Sequence, residues 1–373
     1  MSTSLTRLGS TPEDYQRIGI KPDQVLGWED AARTDGSAGT WEWWYFDANL
    51  DDGAKLVVVF YTKSPQTEIN RPLAPMIRID LDLPDGTSYK KVAEWKAEEF
   101  AASKDRCEVR IGGNSFSGDL HSYKITAQIE DVAVDVSLTG EVPAWRPRTG
   151  HIYFGPQDEH EFDWLVAIPQ GKVDVTYSVG GTAHATSGVG YHDHNWGNTL
   201  MNSLINHWYW ARGQAGPYTT IASYITAEEK YGYTELPVFM LTRGDEIVAD
   251  DATKVTFEEL GPYTDTNTGK PVANVTRYTY ADGDDSYIVT FTRYRDLTAS
   301  KLIDTLHGPK KVAARLVGFD GAYLRFTGEL RIEHRRSDAV VDSYTDSAIW
   351  ELMYLGKTRT EEYRNSLVGA RPR

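Results

Sequence analysis

The chain has 373 residues, 40% apolar and 25% charged, enough to bury a sizeable core in one large or two ordinary domains. Its formal charge of −15 argues against nucleic acid or an anionic membrane as the main partner, since both are bound through basic patches. Cys107 is the single cysteine, which excludes an intrachain disulfide and leaves no sign of an oxidising compartment.

The start of the chain, MSTSLTRLGSTPEDYQR, has no apolar run of signal-peptide length, and the longest apolar run, Leu56 to Tyr61, is strand-sized. The expectation is a soluble, cytoplasmic protein with no integral membrane segment. Residues 1–27 read as a polar N-terminal arm holding a short helical turn, started by Pro12 and capped by Thr11. In WEWWYFDANL (Trp41 to Leu50), strand alternation puts Trp41, Trp43, Tyr45 and Asp47 on one face and Glu42, Trp44 and Phe46 on the other. A strand bulky on both sides is either covered on both sides or lines a cavity on one.

Short strands and turns then alternate. Asp51-Asp52-Gly53 turns into KLVVVFYTK, and MIRIDLDL turns at Pro84-Asp85-Gly86 into SYKKVAEW. CEVRIG, SFSGDLHSYKITAQI and VAVDVSLTGEV follow, then a loop, PAWRPRTG. HEFDWLVAIPQGKVDVTYSV returns to strand, with Pro169-Gln170-Gly171 read as a turn.

GVGYHDHNWGNTLMNSLINHWYWAR (Gly188 to Arg212) is the densest stretch. Gly188 and Gly190 signal a bend or a close backbone approach. Tyr191, Asp193 and Asn195 share one face, and His192, His194 and Trp196 the other. Gly197-Asn198 ends the run, and Met201 to Ile205 reads as a short helical turn. Beyond it Trp208, Trp210 and Arg212 share a face, opposite His207 and Tyr209. Such a concentration of polar and indole side chains suits the wall of a pocket. A second series of strand-like runs follows, including KKVAARLVGF, AYLRFTGELRIEH and DSAIWELMYLG. Few windows hold helical periodicity, so the chain reads as all-β. The expected domains are residues 28–200 and 201–373.

WEWWYFDA resembles the N-terminal signature of the carotenoid 1,2-hydratase (hydroxyneurosporene synthase) and AttH-like superfamily. GVGYHDHNWG, with DWLVAIPQGKVDVTYSVGG before it and WYWAR after it, is similar to that superfamily's central motif. The resemblance implies two lipocalin-like β-barrel or sandwich domains in tandem, with a pocket near their junction. It extends to kievitone hydratase and to fungal decalin-forming Diels–Alderases, so it implies the fold more narrowly than the reaction. It also matches Asp193 to the aspartate implicated as the acid in the carotenoid hydratases.

The residues themselves admit several roles. A carboxyl in an aromatic pocket keeps its proton, which would make Asp193 an acid; it could also anchor backbone amides or bind a metal. His192 and His194 have a spacing that metal sites use, but no HExxH or cysteine pair supplies further ligands, so hydrogen-bonded pocket histidines and no metal are expected. Tyr191 and Asn195 could orient water or a substrate carbonyl, or satisfy buried polar groups. Glu42 or Asp47 could complete an acid–base pair with Asp193; the plainer role for Glu42 is an ion pair with Arg212. Trp43, Trp44, Tyr45, Trp196, Trp208 and Trp210 could stabilise a cation or simply pack, and Arg212 suits a carbonyl or carboxylate. Cys107 reads as an inert thiol outside these clusters.

Together these features favour a cofactor-independent hydratase or cyclase acting on a hydrophobic terpenoid- or polyene-like molecule. The alternatives are a pericyclase that folds a linear polyene and a non-catalytic carrier of apolar ligands.

Overall fold

The computed structural model describes residues 5–64, 69–305 and 318–358, with isolated positions between 308 and 316. Of the run 310–319, read as a strand, positions 310, 313–315 and 317 lie outside them, and positions 311, 312 and 316 are helical, not extended. The described chain is almost entirely antiparallel β, in two sheets of thirteen and nine strands among the described residues. It folds as two compact units. The first comprises residues up to Leu204 with Pro217–Thr220 and Met240–Asp250; the second holds the remainder.

The first sheet is built from alternation. In Met76–Asp82, Ile77, Ile79 and Leu81 are fully buried while Met76, Arg78 and Asp80 point the other way. Leu56, Val58 and Phe60 do the same in Lys55–Tyr61, as do Trp44, Phe46, Ala48 and Leu50 in Trp41–Leu50. The sheet curls until Met76–Asp82 and Ser88–Glu94 come against Ser122–Ile129. That encloses one core with Phe116, Ile125, Val136, Leu138, Ile168 and Val173. Each such side chain contributes roughly 1.5–3 kcal/mol on leaving water.

Thr182–Gly197 lies between Trp41–Leu50 and His160–Val179. Its register pairs Asn195 with Trp43, Asp193 with Tyr45 and Tyr191 with Asp47; one step over, His194 meets Trp44 and His192 meets Phe46. Directly opposed residues share a face, so the two rows are separated by the backbone itself. The glycines mark close approach. A Cβ at Gly188 would stand 2.3 Å from the Asn49 carbonyl oxygen and 2.8 Å from Leu50 Cα. Backbone cannot yield as a side-chain tip can, so Gly188→Ala is expected to destabilise by about 1–3 kcal/mol, measured by urea unfolding.

The Pro169-Gln170-Gly171 turn is not formed. His160–Val179 runs through as one strand, and its pairing with Thr182–Gly197 shifts register between Val166 and Ile168 and again between Ile168 and Gly171. Proline lacks a ladder donor and is accommodated in this bulged stretch.

The chain before Trp41 is pinned in place. Thr6–Leu8 pairs with His151–Phe154. Pro12–Ile18 is a helix whose Thr11 Oγ1 accepts from the Asp14 amide at 3.2 Å, while the Asp14 carboxylate accepts from the Thr11 amide at 3.0 Å. Buried Arg146 pairs with Glu29 at 2.6 Å and donates to the carbonyls of Lys21, Gln24 and Arg148.

In the second unit, Phe291 and Phe326 pack on Trp350 at ring separations of 5.5 and 5.8 Å. Tyr209 is buried and accepts the Ala273 amide at 3.0 Å, whereas Trp208, Trp210 and Arg212 on the other face of Ile205–Ala215 are half-exposed. Met201–Ser203 is a short 3-10 turn, as the sequence predicts.

Candidate active site

Asp193 stands on the outer face of the first curled sheet, 8% exposed. Its Oδ2 accepts two side-chain donors, the Tyr191 hydroxyl at 2.8 Å and the Trp164 indole N–H at 3.0 Å. Its Oδ1 is buried and has no hydrogen-bond partner among the described residues. Burial pushes the carboxyl up to about 7; the bonds from Tyr191 and Trp164 and the charge of His192 oppose this, and Asp47 adds to it. A proton on this group belongs on Oδ1, because Oδ2 is already engaged by two donors.

Aromatic rings extend from the carboxyl in both directions. Tyr45 meets Tyr191 edge-on at 6.3 Å and donates to Asp47 Oδ2 at 3.1 Å. Trp43 stacks on Trp41 at 4.7 Å and meets Tyr61 at 6.1 Å. Trp145 meets Trp164 at 6.3 Å. Beyond Tyr61 a groove of about 290 Å³ is lined by Ser64, Met76, Arg78, Asp80, Lys90 and Val92. There Arg78 pairs with Asp80, its Nε 2.9 Å from Oδ2. The face thus combines a carboxyl able to give up a proton, ring faces able to stabilise positive charge, and a guanidinium.

The other row is committed to the core. His192 Nδ1 donates to the Tyr45 carbonyl at 2.8 Å, and its Nε2 is 3.2 Å from Asp30 Oδ2. His194 lies between two carboxylates, Nε2 2.8 Å from Glu42 and Nδ1 3.2 Å from Asp30. Asp30 also accepts the Tyr123 hydroxyl at 2.6 Å, and its carbonyl accepts the Trp44 indole N–H at 3.2 Å. Burial disfavours charge on Asp30, yet the two histidines outweigh it and hold the carboxyl well below the usual range. Burial likewise opposes the His194 cation, and Asp30 and Glu42 raise it above the ordinary value. Trp44 stacks on His194 at 4.7 Å, and Trp196 lies 4.9 Å from the same ring.

The structure brings Tyr191, Asp193, Trp43 and Tyr45 together on one face, and His192, His194, Glu42, Trp44 and Trp196 together on the opposite one. Asn195 shares the Asp193 face but donates to the Asp163 carbonyl at 3.1 Å. Trp208, Trp210 and Arg212 belong to the second unit, where the Trp208 indole donates to Glu351 at 3.2 Å. Two expectations are corrected. Glu42 does not pair with Arg212; it takes His194, the amides of Arg33 and Thr34 and the Thr34 hydroxyl, because segment 33–34 folds directly over it. Cys107 is not apart from the clusters but buried beside Asp30 and His192, its thiol pushed up by burial. Sequence reasoning missed Asp30, Tyr123, Trp164, Tyr61 and Arg78. Alternation in DWLVAIP and MIRIDLDL could have placed Trp164 and Arg78 on faces, but nothing local reveals which strands they neighbour.

The Diels-Alderase-like family profile matches residues 29–293, well over half of the chain. The chain belongs to the Diels-Alderase-like family. This Diels-Alderase-like protein is 26% identical over 199 residues to the quinolone epoxide rearrangement protein asqO of Emericella nidulans, covering 50% of the chain and 54% of that protein. It is 28% identical over 207 residues to the hydroxyneurosporene dehydrogenase of Chlorobaculum tepidum, covering 47% of the chain and 53% of that protein. The chain thus spans about half the length of these curated relatives. In fold it is similar to kievitone hydratase from Nectria haematococca, with a TM-score of 0.52 at 14% identity over 90% of this chain and 94% of that one. The all-β architecture and the superfamily resemblance drawn from the two motifs both hold. No helix among the described residues is long and apolar enough to cross a membrane.

Proposed function

We propose that this protein is a cofactor-independent enzyme that protonates a carbon–carbon double bond of an apolar, terpenoid- or polyene-like molecule. The single observation behind this reading is Asp193: a carboxyl buried among rings, held at one oxygen by two donors and left unengaged at the other. The Oδ1–H would be transferred to an alkene carbon, forming a C–H bond and leaving a carbocation. Trp43, Tyr45 and Tyr61 would stabilise that cation by order of 1 kcal/mol or more per ring. Either water adds and returns its proton to the Asp193 carboxylate, completing a hydration, or an internal double bond captures the cation and the later loss of a proton restores the acid. His192 and His194 would act as positioning residues, fixing the strand that carries Asp193. The names of relatives, an epoxide rearrangement protein and a hydratase, fit acid chemistry on small molecules.

The family also favours a second reading, a pericyclase. The aromatic face would fold a linear polyene, and Arg78, beside Tyr45 and Tyr61, would polarise a substrate carbonyl. Turnover of acyclic polyenes in heavy water separates the two. Proton-initiated addition is expected to place one deuterium at carbon per product; a product free of carbon-bound deuterium would overturn the acid reading and favour the cycloaddition.

A further inference from the structure

A second cluster lies on the face of the sheet opposite Asp193. His151 and Asp163 are directly paired across the strands His151–Phe154 and His160–Val179, and Glu161 lies two residues before Asp163 on the same side. One ligand-capable atom of each lies within 4.8 Å of the others, with His151 Nε2 3.9 Å from Asp163 Oδ1.

Two features make this more than a group of polar residues. Asp163 is 0% exposed, and both of its carboxylate oxygens are buried without a hydrogen-bond partner among the described residues. A buried carboxyl with neither oxygen satisfied is costly, and such groups are normally paired or bound to a metal. Arg33, whose charge acts on Asp163, directs its guanidinium to the Trp28 carbonyl at 3.5 Å and over the Trp28 ring. The second feature is the imidazole. His151 Nδ1 must donate to the Thr149 carbonyl, 2.9 Å away, so the lone pair of the neutral ring is on Nε2, the nitrogen nearer Asp163. A backbone acceptor on the far nitrogen is the usual means of orienting a ligating histidine. Trp196 and Tyr153 pack on the same imidazole, with ring centroids at 5.7 and 5.9 Å.

We propose that His151, Glu161 and Asp163 form a binding site for a divalent first-row transition-metal ion of the Zn²⁺ type. One imidazole and two carboxylates match its borderline preference, whereas Mg²⁺ and Ca²⁺ favour oxygen-only shells. Ligand atoms around a tetrahedral ion stand roughly 3.4 Å apart, so side-chain rotation suffices to close the set. Glu161 is half-exposed and gives the ion a route from solvent. The ion would clamp His151–Phe154, and through it Thr6–Leu8, onto the long strand. This site is independent of the Asp193 chemistry.

The test uses the full chain, stripped with EDTA and titrated with Zn²⁺ by calorimetry, then with Co²⁺ to read coordination from its visible absorption. One ion per chain is expected, with a rise in melting temperature. Glu161→Gln should weaken Zn²⁺ binding by ~tenfold or more, and Asp163→Asn should abolish saturable binding, both with unchanged circular dichroism. If Asp163→Asn fails to fold, Glu161→Gln decides alone. No stoichiometric uptake by the wild type, or equal uptake by the variants, would overturn the site.

Discussion

Replacing Asp193 with Asn is expected to lower turnover by about 10²–10⁴-fold while leaving substrate affinity little changed, the range associated with loss of a positioned general acid. The amide is nearly isosteric, and its oxygen can still accept from Tyr191 and Trp164, so the surroundings of residue 193 keep their shape. The Oδ1 proton does not survive the change. Steady-state kinetics on acyclic terpenoid polyenes checks the rate, and full activity in the variant would end the acid role.

The same substitution has an opposite signature in stability. A carboxyl that titrates near 3.8 when unfolded and near 7 when folded keeps a proton in the folded state that the unfolded chain has released. Stability therefore falls as pH rises between those values and levels off above about 7, by an amount of order 4 kcal/mol at most. The Asn variant lacks this slope. It is expected to be more stable than the wild type at pH 8 and to converge with it towards pH 4, in urea unfolding at the two pH values. A carboxyl stretching band present in the folded wild type and absent from the variant should titrate near pH 7 in infrared difference spectra.

Replacing Asp30 with Asn should do the reverse. Asp30 is fully buried, and both histidines and Tyr123 converge on it. Removing one member of a buried charged set leaves the others uncompensated, and about 3–5 kcal/mol of stability should go with it. The pH dependence follows from the two shifts. Asp30, depressed in the folded state, contributes stability above its ordinary 3.8 and loses it as pH falls through the lower folded value. His194, raised in the folded state, contributes fully below 6.5 and loses that contribution as pH rises through its higher folded value. The cluster is therefore strongest between those ordinary values, and urea midpoints measured across that window should show the wild type's advantage over the variant at its largest there. A variant as stable as the wild type at pH 5 would contradict the assignment.

Period-two alternation in Gly188 to Trp196 separates the acid from the histidines correctly, because strand geometry depends only on position parity. The same logic assigns the two faces of WEWWYFDANL. What alternation cannot convey is which strand lies alongside. Trp164 reaches Asp193 only because the register sets it opposite Asn195, and Asp30 reaches the histidines only because a short 3-10 turn, Gly27–Asp30, folds over them. A lone carboxylate in sequence suggests a cation such as Arg212, whereas the folded chain meets Glu42 with main-chain amides and an imidazole. The Pro169 bulge is hidden for a related reason: a Pro-Gln-Gly triplet signals a turn unless neighbouring strands hold it straight.

The strand Thr182–Gly197 has one further consequence. Adjacent residues along it serve different ends: His192 and His194 are tied into the core through Asp30 and Glu42, while Tyr191 and Asp193 meet each other on the outer face. A lineage could therefore retool its chemistry by editing every other letter of a short motif, keeping the intervening letters as an unchanging chassis.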